Sequence, residues 1–281
     1  MKILIRIFGV LIGVCILAYA GSFAFIRPQN DRVWLAEQAE LASAEVAGDT
    51  VTVHNVRDWT YDGSAIASTD WIEATVRPSD VVRVWFILEP FASSPVVGHT
   101  FLSFEFKDGT TLAFSVEARR EADEKYSALK GLGPTYELAY QWGTERDFIP
   151  RRTNYLAHPV RMYPLVLPEG GASALFSSLI EETNDLATHP RFYHTLFANC
   201  TNVLAHIINK HYPHTLPYDI SWTLTGLSDT YLMKEGFIAT NGTEDETKAA
   251  HDLTPSREKI EAQAIDTPKE FSAFVRTLVA H

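Results

Sequence analysis

The segment from Gly98 to Glu117 constrains this chain more than any other. It reads Gly-His-Thr-Phe-Leu-Ser-Phe-Glu-Phe, then Lys107-Asp108-Gly109, then Thr-Thr-Leu-Ala-Phe-Ser-Val-Glu. Asp-Gly between two alternating apolar runs is a hairpin signal. A three-residue loop with Gly109 left-handed pairs Phe106 with Thr110, and sets Leu102 opposite Phe114 and Phe104 opposite Leu112. One face then carries Leu102, Phe104, Phe106, Leu112, Phe114 and Val116. The other carries His99, Phe101, Ser103, Glu105, Thr111, Ala113, Ser115 and Glu117. A two-residue turn would mix the faces. Because a slip of one residue moves every side chain to the opposite face, the clean separation selects the bulged register. In that register His99 lies across from Glu117, with Cβ atoms about 5 Å apart.

Around the hairpin, Val51 to Val56 alternates as a half-buried strand, Trp71 to Arg77 is a second strand, and Val81 to Leu88 is a third, ended by Pro90. Residues 28–49 read as a linker and a helix capped by Asn30-Asp31, with Trp34, Leu35, Ala39 and Leu41 on its apolar side. Residues 119–149 are charged and read as helical and loop pieces, broken by Pro150. Val160 to Leu167 reads as a strand, and Ala172 to Ala187 as a helix ended by His189-Pro190. Val203, Leu204, Ile207 and Ile208 form one helical stripe. Asn199 is its natural N-cap, so Cys200 falls in the first turn, and Pro213 closes the segment. Residues 240–254 read as a polar loop and 255–280 as one or two helices. The fold class expected is α+β, an antiparallel sheet packed on helices.

The N-terminus differs in kind. Lys2 and Arg6 precede the run Ile7 to Ile26, which holds no charged residue. Twenty such residues are enough to cross a bilayer, and the preceding basic residues favour a cytoplasmic N-terminus. A cleaved signal peptide with Ala18-Tyr19-Ala20 as its processing site is the competing reading. Both place residues 27–281 outside the cytoplasm. The expected division is an anchor or signal segment over 1–27, a periplasmic domain over 28–240, and an acidic loop with terminal helices over 241–281.

The chain carries 24 basic and 35 acidic residues, a formal net charge of −11, without a Lys/Arg stripe. Nucleic acid is therefore not an expected partner, since phosphate binding needs a basic footprint. Membrane lipid or a lipoprotein is. The oligomeric state is not legible.

Only two cysteines occur, Cys15 in the apolar run and Cys200. An exported body with one unpaired thiol is unusual. The bland reading is a small buried apolar residue. The sharper one is a nucleophile. A helix start lowers a thiol pKa, and a neighbouring imidazole lowers it further and later acts as an acid. His99 is the candidate base, and Glu117 is placed to orient it as a third member. The Cys200 N–H with a flanking side chain would hold an oxyanion, so Asn199 and Thr201 are the candidates for helix-cap and oxyanion support. His189, His194, His206, His211 and His214 cluster in sequence without ligand spacing, so no metal is expected. No phosphate loop or G-x-S-x-G occurs, and no cofactor is expected. Glu145-Arg146-Asp147 reads as a structural charge node, and Trp222, Tyr231 and Phe237 as core.

Several separated motifs carry a resemblance: Asn30-Asp31-Arg32-x-Trp34, Asn55-Val-Arg-Asp58 with Tyr61, the His99 strand, Ser115-Val-Glu-Ala-Arg-Arg-Glu121, Glu145-Arg-Asp147 and Asn199-Cys-Thr201. In this order they resemble the Lnb-type N-terminal periplasmic domain over roughly residues 30–240. That family takes its name from membrane enzymes that acylate the N-terminal cysteine of lipoproteins. The His-before-Cys order also resembles permuted papain-like proteins of the NlpC/P60 and lecithin:retinol acyltransferase groups. The resemblance implies His99 as base and Cys200 as nucleophile of an acyl transfer through a thioester. Glu117 comes from the hairpin register, not from the family. Acyltransferase members carry several membrane helices after this domain. No further apolar span follows here, which implies a stand-alone relative with a different donor or acceptor. The rival expectations are a cell-envelope cysteine peptidase or amidase and a non-catalytic envelope binding module.

Overall fold

The computed structural model describes residues 2–91, 94–212, 215–263 and 267–279, without the side chains of residues 2–4, 15, 16, 18, 20 and 24. The Cys15 thiol, Pro213 and His214 thus lie outside the described residues. Helix α1 (Lys2–Phe25) leads into strands β1 (Ser43–Ala47), β2 (Thr50–Asp62), β3 (Ala65–Val76), β4 (Val81–Phe91), β5 (Ser94–Phe106), β6 (Thr111–Arg119) and β7 (Glu137–Gly143). Then come α2 (Glu145–Pro150), β8 (Arg161–Pro164), α3 (Gly171–Thr188), α4 (Cys200–His211), α5 (Ser228–Lys234), α6 (Glu244–Ala250), α7 (Arg257–Gln263) and α8 (Pro268–Arg276). Counted over the described side chains, no helix is long and apolar enough to cross a membrane.

The architecture is α+β. One sheet runs β1-β2-β7-β6-β5-β4-β8, with β3 on β2. Its pairs are antiparallel except β2 with β7, which meet in parallel at Arg57 and Gly143. The β5–β6 hairpin has the bulged register: Leu102 faces Phe114, Phe104 faces Leu112, and the Phe106 N–H donates to Thr110 O. Gly109 has φ +83°, the left-handed conformation that this loop requires.

The two hairpin faces then head two cores. Leu102, Phe104, Phe106, Leu112, Phe114 and Val116 bury against Leu175, Phe176 and Leu179 of α3 and Val203, Leu204 and Ile207 of α4. Phe101 and Ala113 bury against Phe148 of α2, Ile260 of α7, and Phe271 and Val275 of α8. Residues 241–281 therefore close the second face of the sheet.

Four local expectations fail, each for a tertiary reason. Residues 28–49 form no helix beyond a single 3-10 turn at Ala36–Gln38. Trp34 is buried instead under the Arg119 guanidinium, 4.2 Å above its ring, and the Asn30 amide donates to Ala187 O rather than capping a helix. Pro90 does not end β4. Because β8 pairs only with Trp85 to Leu88, the missing N–H of Pro90 falls where that side of β4 is an edge and no ladder bond is lost. Strand β7 lies in a stretch read as helix and loop. It is buried throughout, and a strand covered on both faces shows no alternation. Residues 240–254 contain α6, started by a capping box between Thr243 and Glu246 that the polar composition masks.

Candidate active site

Helix α4 begins at Cys200 because Asn199 stops it there. The Asn199 Oδ1 accepts from the N–H groups of Thr201 and Asn202, each at 2.9 Å, while the Asn202 Oδ1 accepts from the Asn199 N–H. The Asn199 amide donates to Thr195 O and Trp222 O, each at 3.0 Å. All four groups of Asn199 are therefore occupied by the cap, and none remains to meet a substrate. The Cys200 N–H sits at the first helical position, where no intrahelical acceptor exists. Among the described residues it donates to nothing.

On the sheet, His99 Nε2 lies 2.7 Å from Ser115 Oγ and 3.2 Å from Glu117 Oε1. Ser115 donates to the same Glu117 oxygen at 2.6 Å. The hairpin register thus brings His99 and Glu117 together as expected. It also inserts Ser115 between them, a residue that shares their face in the sequence but was not singled out. Arg152 has no sequence signal at all. It reaches the site from a wide π-helical turn over Arg151–Tyr155, with Glu117 Oε1 at 3.5 Å and Glu89 Oε2 at 2.9 Å, and its guanidinium lies 4.4 Å from the Phe101 ring.

His99 and Cys200 perturb one another electrostatically. Burial disfavours the imidazolium, but the Glu117 carboxylate and the Cys200 sulfur outweigh it and raise His99 to about 10. Burial also works against the Glu117 charge, yet His99, Arg152 and the Ser115 hydroxyl hold that carboxyl well below its ordinary range. The Cys200 thiol is 5% exposed, and burial raises its pKa. The His99 charge and hydrogen bond, with a contribution from Thr100, turn the balance downward. Both shifts act in the direction of a thiolate–imidazolium pair, with the Glu117 carboxylate beside the imidazole.

An apolar cavity of about 140 Å³ lies along α4 beside this group. Its walls include Leu102, Leu165, Leu175, Leu204, Trp222 and Phe237. Its polar end is formed by Thr100, Thr201 and Ser228. Thr201 Oγ1 stands 3.0 Å from Thr100 Oγ1, 3.5 Å from Ser228 Oγ and 4.0 Å from the Cys200 sulfur. Trp222 and Tyr231 are core residues, as expected, and also line the cavity. Gly226 lets the 220s loop press on the start of β5. A Cβ there would meet Pro95 O at 2.3 Å.

The remaining candidates do not join the site. His189 pairs with Asp185, His194 meets Tyr19, and His206 stands edge-on to Trp222. No cluster of three or more His, Cys, Asp or Glu arranged for a metal occurs among the described residues. Glu145, Arg146 and Asp147 are structural nodes, bound respectively to Arg276, Asp58 and Arg57.

A model of the Lnb N-terminal periplasmic domain matches residues 67–226, from β3 to the loop before α5. The chain belongs to the Lnb N-terminal periplasmic domain family. The match encloses His99, Ser115, Glu117, Arg152 and Cys200, and begins after the Asn55–Asp58 motif. No curated protein matches the chain, and no solved structure does. Membership places the body of this Lnb-type chain in the periplasm.

Proposed function

We propose that the protein is a membrane-tethered periplasmic thiol acyltransferase. The observation that carries this reading is His99, paired with Glu117, beside a helix-start Cys200 whose neighbour Thr201 stands at the polar end of an apolar cavity. The Cys200 thiolate attacks the carbonyl of a lipid acyl ester, and the Cys200 N–H holds the oxyanion. His99 gives its proton to the departing alcohol, leaving a thioester. An acceptor amine then attacks the thioester carbonyl, His99 takes the amine proton, and the thiolate departs. Glu117 keeps the imidazole oriented through both steps, with Ser115 and Arg152 fixing the carboxylate. The order of a strand histidine followed by a helix-start cysteine is that of a permuted papain-like enzyme.

The cavity favours acyl chains over cell-wall peptide. A peptide groove needs hydrogen-bonding walls, whereas this one is lined almost wholly by hydrocarbon. Its size matches the cavity of about 150 Å³ that binds benzene in an engineered protein core.

Helix α1 serves as the tether. Its 24 residues rise about 36 Å, against a hydrocarbon core of about 30 Å. Ile7, Phe8, Val10, Leu11, Val14 and Leu17 all face outward from it.

The test uses full-length protein in vesicles containing an alkyne-tagged acyl phospholipid. Wild type is expected to retain a hydroxylamine-sensitive adduct, Cys200→Ala none, and His99→Ala far less. Equal adducts on all three proteins would sink the proposal.

A further inference from the structure

The tether and the thiol meet at one pair of loops, residues 126–133 and 192–198. The Thr195 N–H donates to Gly131 O at 2.9 Å, and Thr195 Oγ1 to Ala128 O at 2.8 Å, which binds the loops together. The Tyr19 hydroxyl of α1 donates to Leu132 O and lies 3.1 Å from His194 Nε2. Phe23 packs edge-on against Phe192, ring centroids 6.2 Å apart. His194 in turn stacks on Phe197 at 4.9 Å, and Phe197 is three residues before Cys200. The hydroxyls of Tyr126 and Tyr193 stand 3.3 Å apart, and both feel the charge of the Cys200 sulfur.

These loops expose hydrocarbon. Leu129 is 78% exposed and Phe197 72%, with Tyr126 and Leu196 also outward. Across the two segments only Lys130 is charged at neutral pH, and a lysine can extend its ammonium to water from an apolar surface. The depth follows from α1. Tyr19 precedes Ile26, the last residue of the uncharged run, by seven positions. At 1.5 Å per residue that is about 10 Å along the helix axis. Loops that touch Tyr19 therefore lie about 10 Å inside the level at which α1 leaves the hydrocarbon, the depth at which interfacial apolar elements sit.

We propose that residues 126–133 and 192–198 form a collar that dips into the lipid bilayer and holds the loop leading to Cys200 at the level of the acyl chains. The occupant of this apolar surface is phospholipid, because the helix that fixes its depth is itself the bilayer segment. The attraction is hydrophobic rather than electrostatic, since a chain of net charge −11 is not drawn to anionic headgroups. The collar rests on the tether reading. It explains how a donor chain enters a buried thiol site without crossing water.

The test uses the full chain with Cys15→Ala and Cys200→Ala, so acyl transfer plays no part in it. Single cysteines are introduced by Leu129→Cys, Phe197→Cys and Asp108→Cys and labelled with an environment-sensitive nitrobenzoxadiazole. Asp108 is at the hairpin tip, nine residues or about 30 Å along β5 from His99. The vesicles are phosphatidylethanolamine and phosphatidylglycerol doped with a phosphatidylcholine brominated near the upper acyl carbons. Probes at 129 and 197 are expected to shift to the blue and lose most of their emission to bromine, and the probe at 108 to do neither. If the protein floats with the vesicles but all three probes remain aqueous, the collar is overturned and the tether stands. If the protein does not float with them, both are overturned. In the Cys200 protein, the double variant Leu129→Glu with Phe197→Glu is expected to lose lipid adduct while Cys200 still reacts with iodoacetamide. Unchanged lipid adduct would count against the collar.

Discussion

Two buried polar clusters share one face of strand β5. His99 meets Ser115 and Glu117, and Arg152 reaches the same Glu117 carboxylate. Four residues on, Ser103 and Glu105 meet Glu145 and Arg276, with Arg276 Nη1 2.6 Å from Glu145 Oε2 and Ser103 Oγ 2.5 Å from Glu145 Oε1. Both bury carboxylates against a guanidinium. In the second cluster burial is outweighed by the Glu145–Arg276 pairing, which holds both groups charged, and the Arg276 guanidinium is further packed over the Trp85 ring at 5.0 Å. It ties α8 to the sheet and has no nucleophile beside it. The first substitutes an imidazole for one permanent charge and lies beside a thiol at a helix start. A buried ion pair is thus structural when neither partner can release a proton. It becomes chemical when one partner can, next to an unoccupied N–H and a cavity.

The contrast is sharpest under substitution. Cys200→Ala is expected to reduce thioester formation by at least about 10³-fold while leaving the thermal midpoint close to that of wild type, because only a small buried sulfur is lost. A large drop in midpoint with residual acylation would make Cys200 a packing residue. Arg276→Ala should do the opposite. Leaving Glu145 buried and unpaired costs about 3–5 kcal/mol of stability, read by denaturant titration in detergent, with the pH profile of the surviving enzyme unchanged. A shifted profile would mean that the two clusters are coupled.

Glu117→Gln preserves shape and removes charge. About 10²-fold loss of acyl transfer is expected, with folding retained. The pH dependence carries the sign. In wild type the His99 imidazolium persists until pH rises to about 10, so transfer should fall there as the proton donor is lost. The thiolate forms below the ordinary thiol value, so the rise of iodoacetamide alkylation with pH should come earlier than for a free cysteine. In Glu117→Gln the alkaline limb moves down and the thiol limb moves up, narrowing the window from both sides. Identical limbs in the two proteins would remove Glu117 from the site.

The smallest effect belongs to the cavity. Leu204→Phe fills part of it and should shift preference toward shorter acyl chains by a few-fold, in line with about 0.8 kcal/mol per methylene buried. Competition between labelled donors of two chain lengths measures this. An unchanged ratio would place the acyl chain elsewhere.

Legibility followed the range of the interactions. The β5–β6 register was readable because a period of two and one turn glycine fix it within twenty residues. The start of α4 was readable because Asn199 caps it through its own neighbours. His99 facing Glu117 followed from the first, and Cys200 at a helix N-terminus from the second. Ser115 was visible as a member of the same face, but nothing local marked it as the bridge. Strand β7 was hidden because burial on both sides erases alternation, and the 28–49 segment because Trp34 is held by Arg119, 85 residues away.

By itself the sequence determined the α+β class, the two-faced hairpin, the uncharged N-terminal run, His99 facing Glu117 and Cys200 at a helix start. Each depends on spacing along the chain, which the backbone period converts directly into a face or an end. Only the tertiary structure decided that the thiol and the imidazole lie close enough to shift one another's titration, that Arg152 pairs with the Glu117 carboxylate, that a cavity lies along α4, and that the Tyr19 end of α1 rests on the loops leading to Cys200. Those contacts join segments from 19 to 237, and which of them meet is set by how the two faces of one sheet are covered.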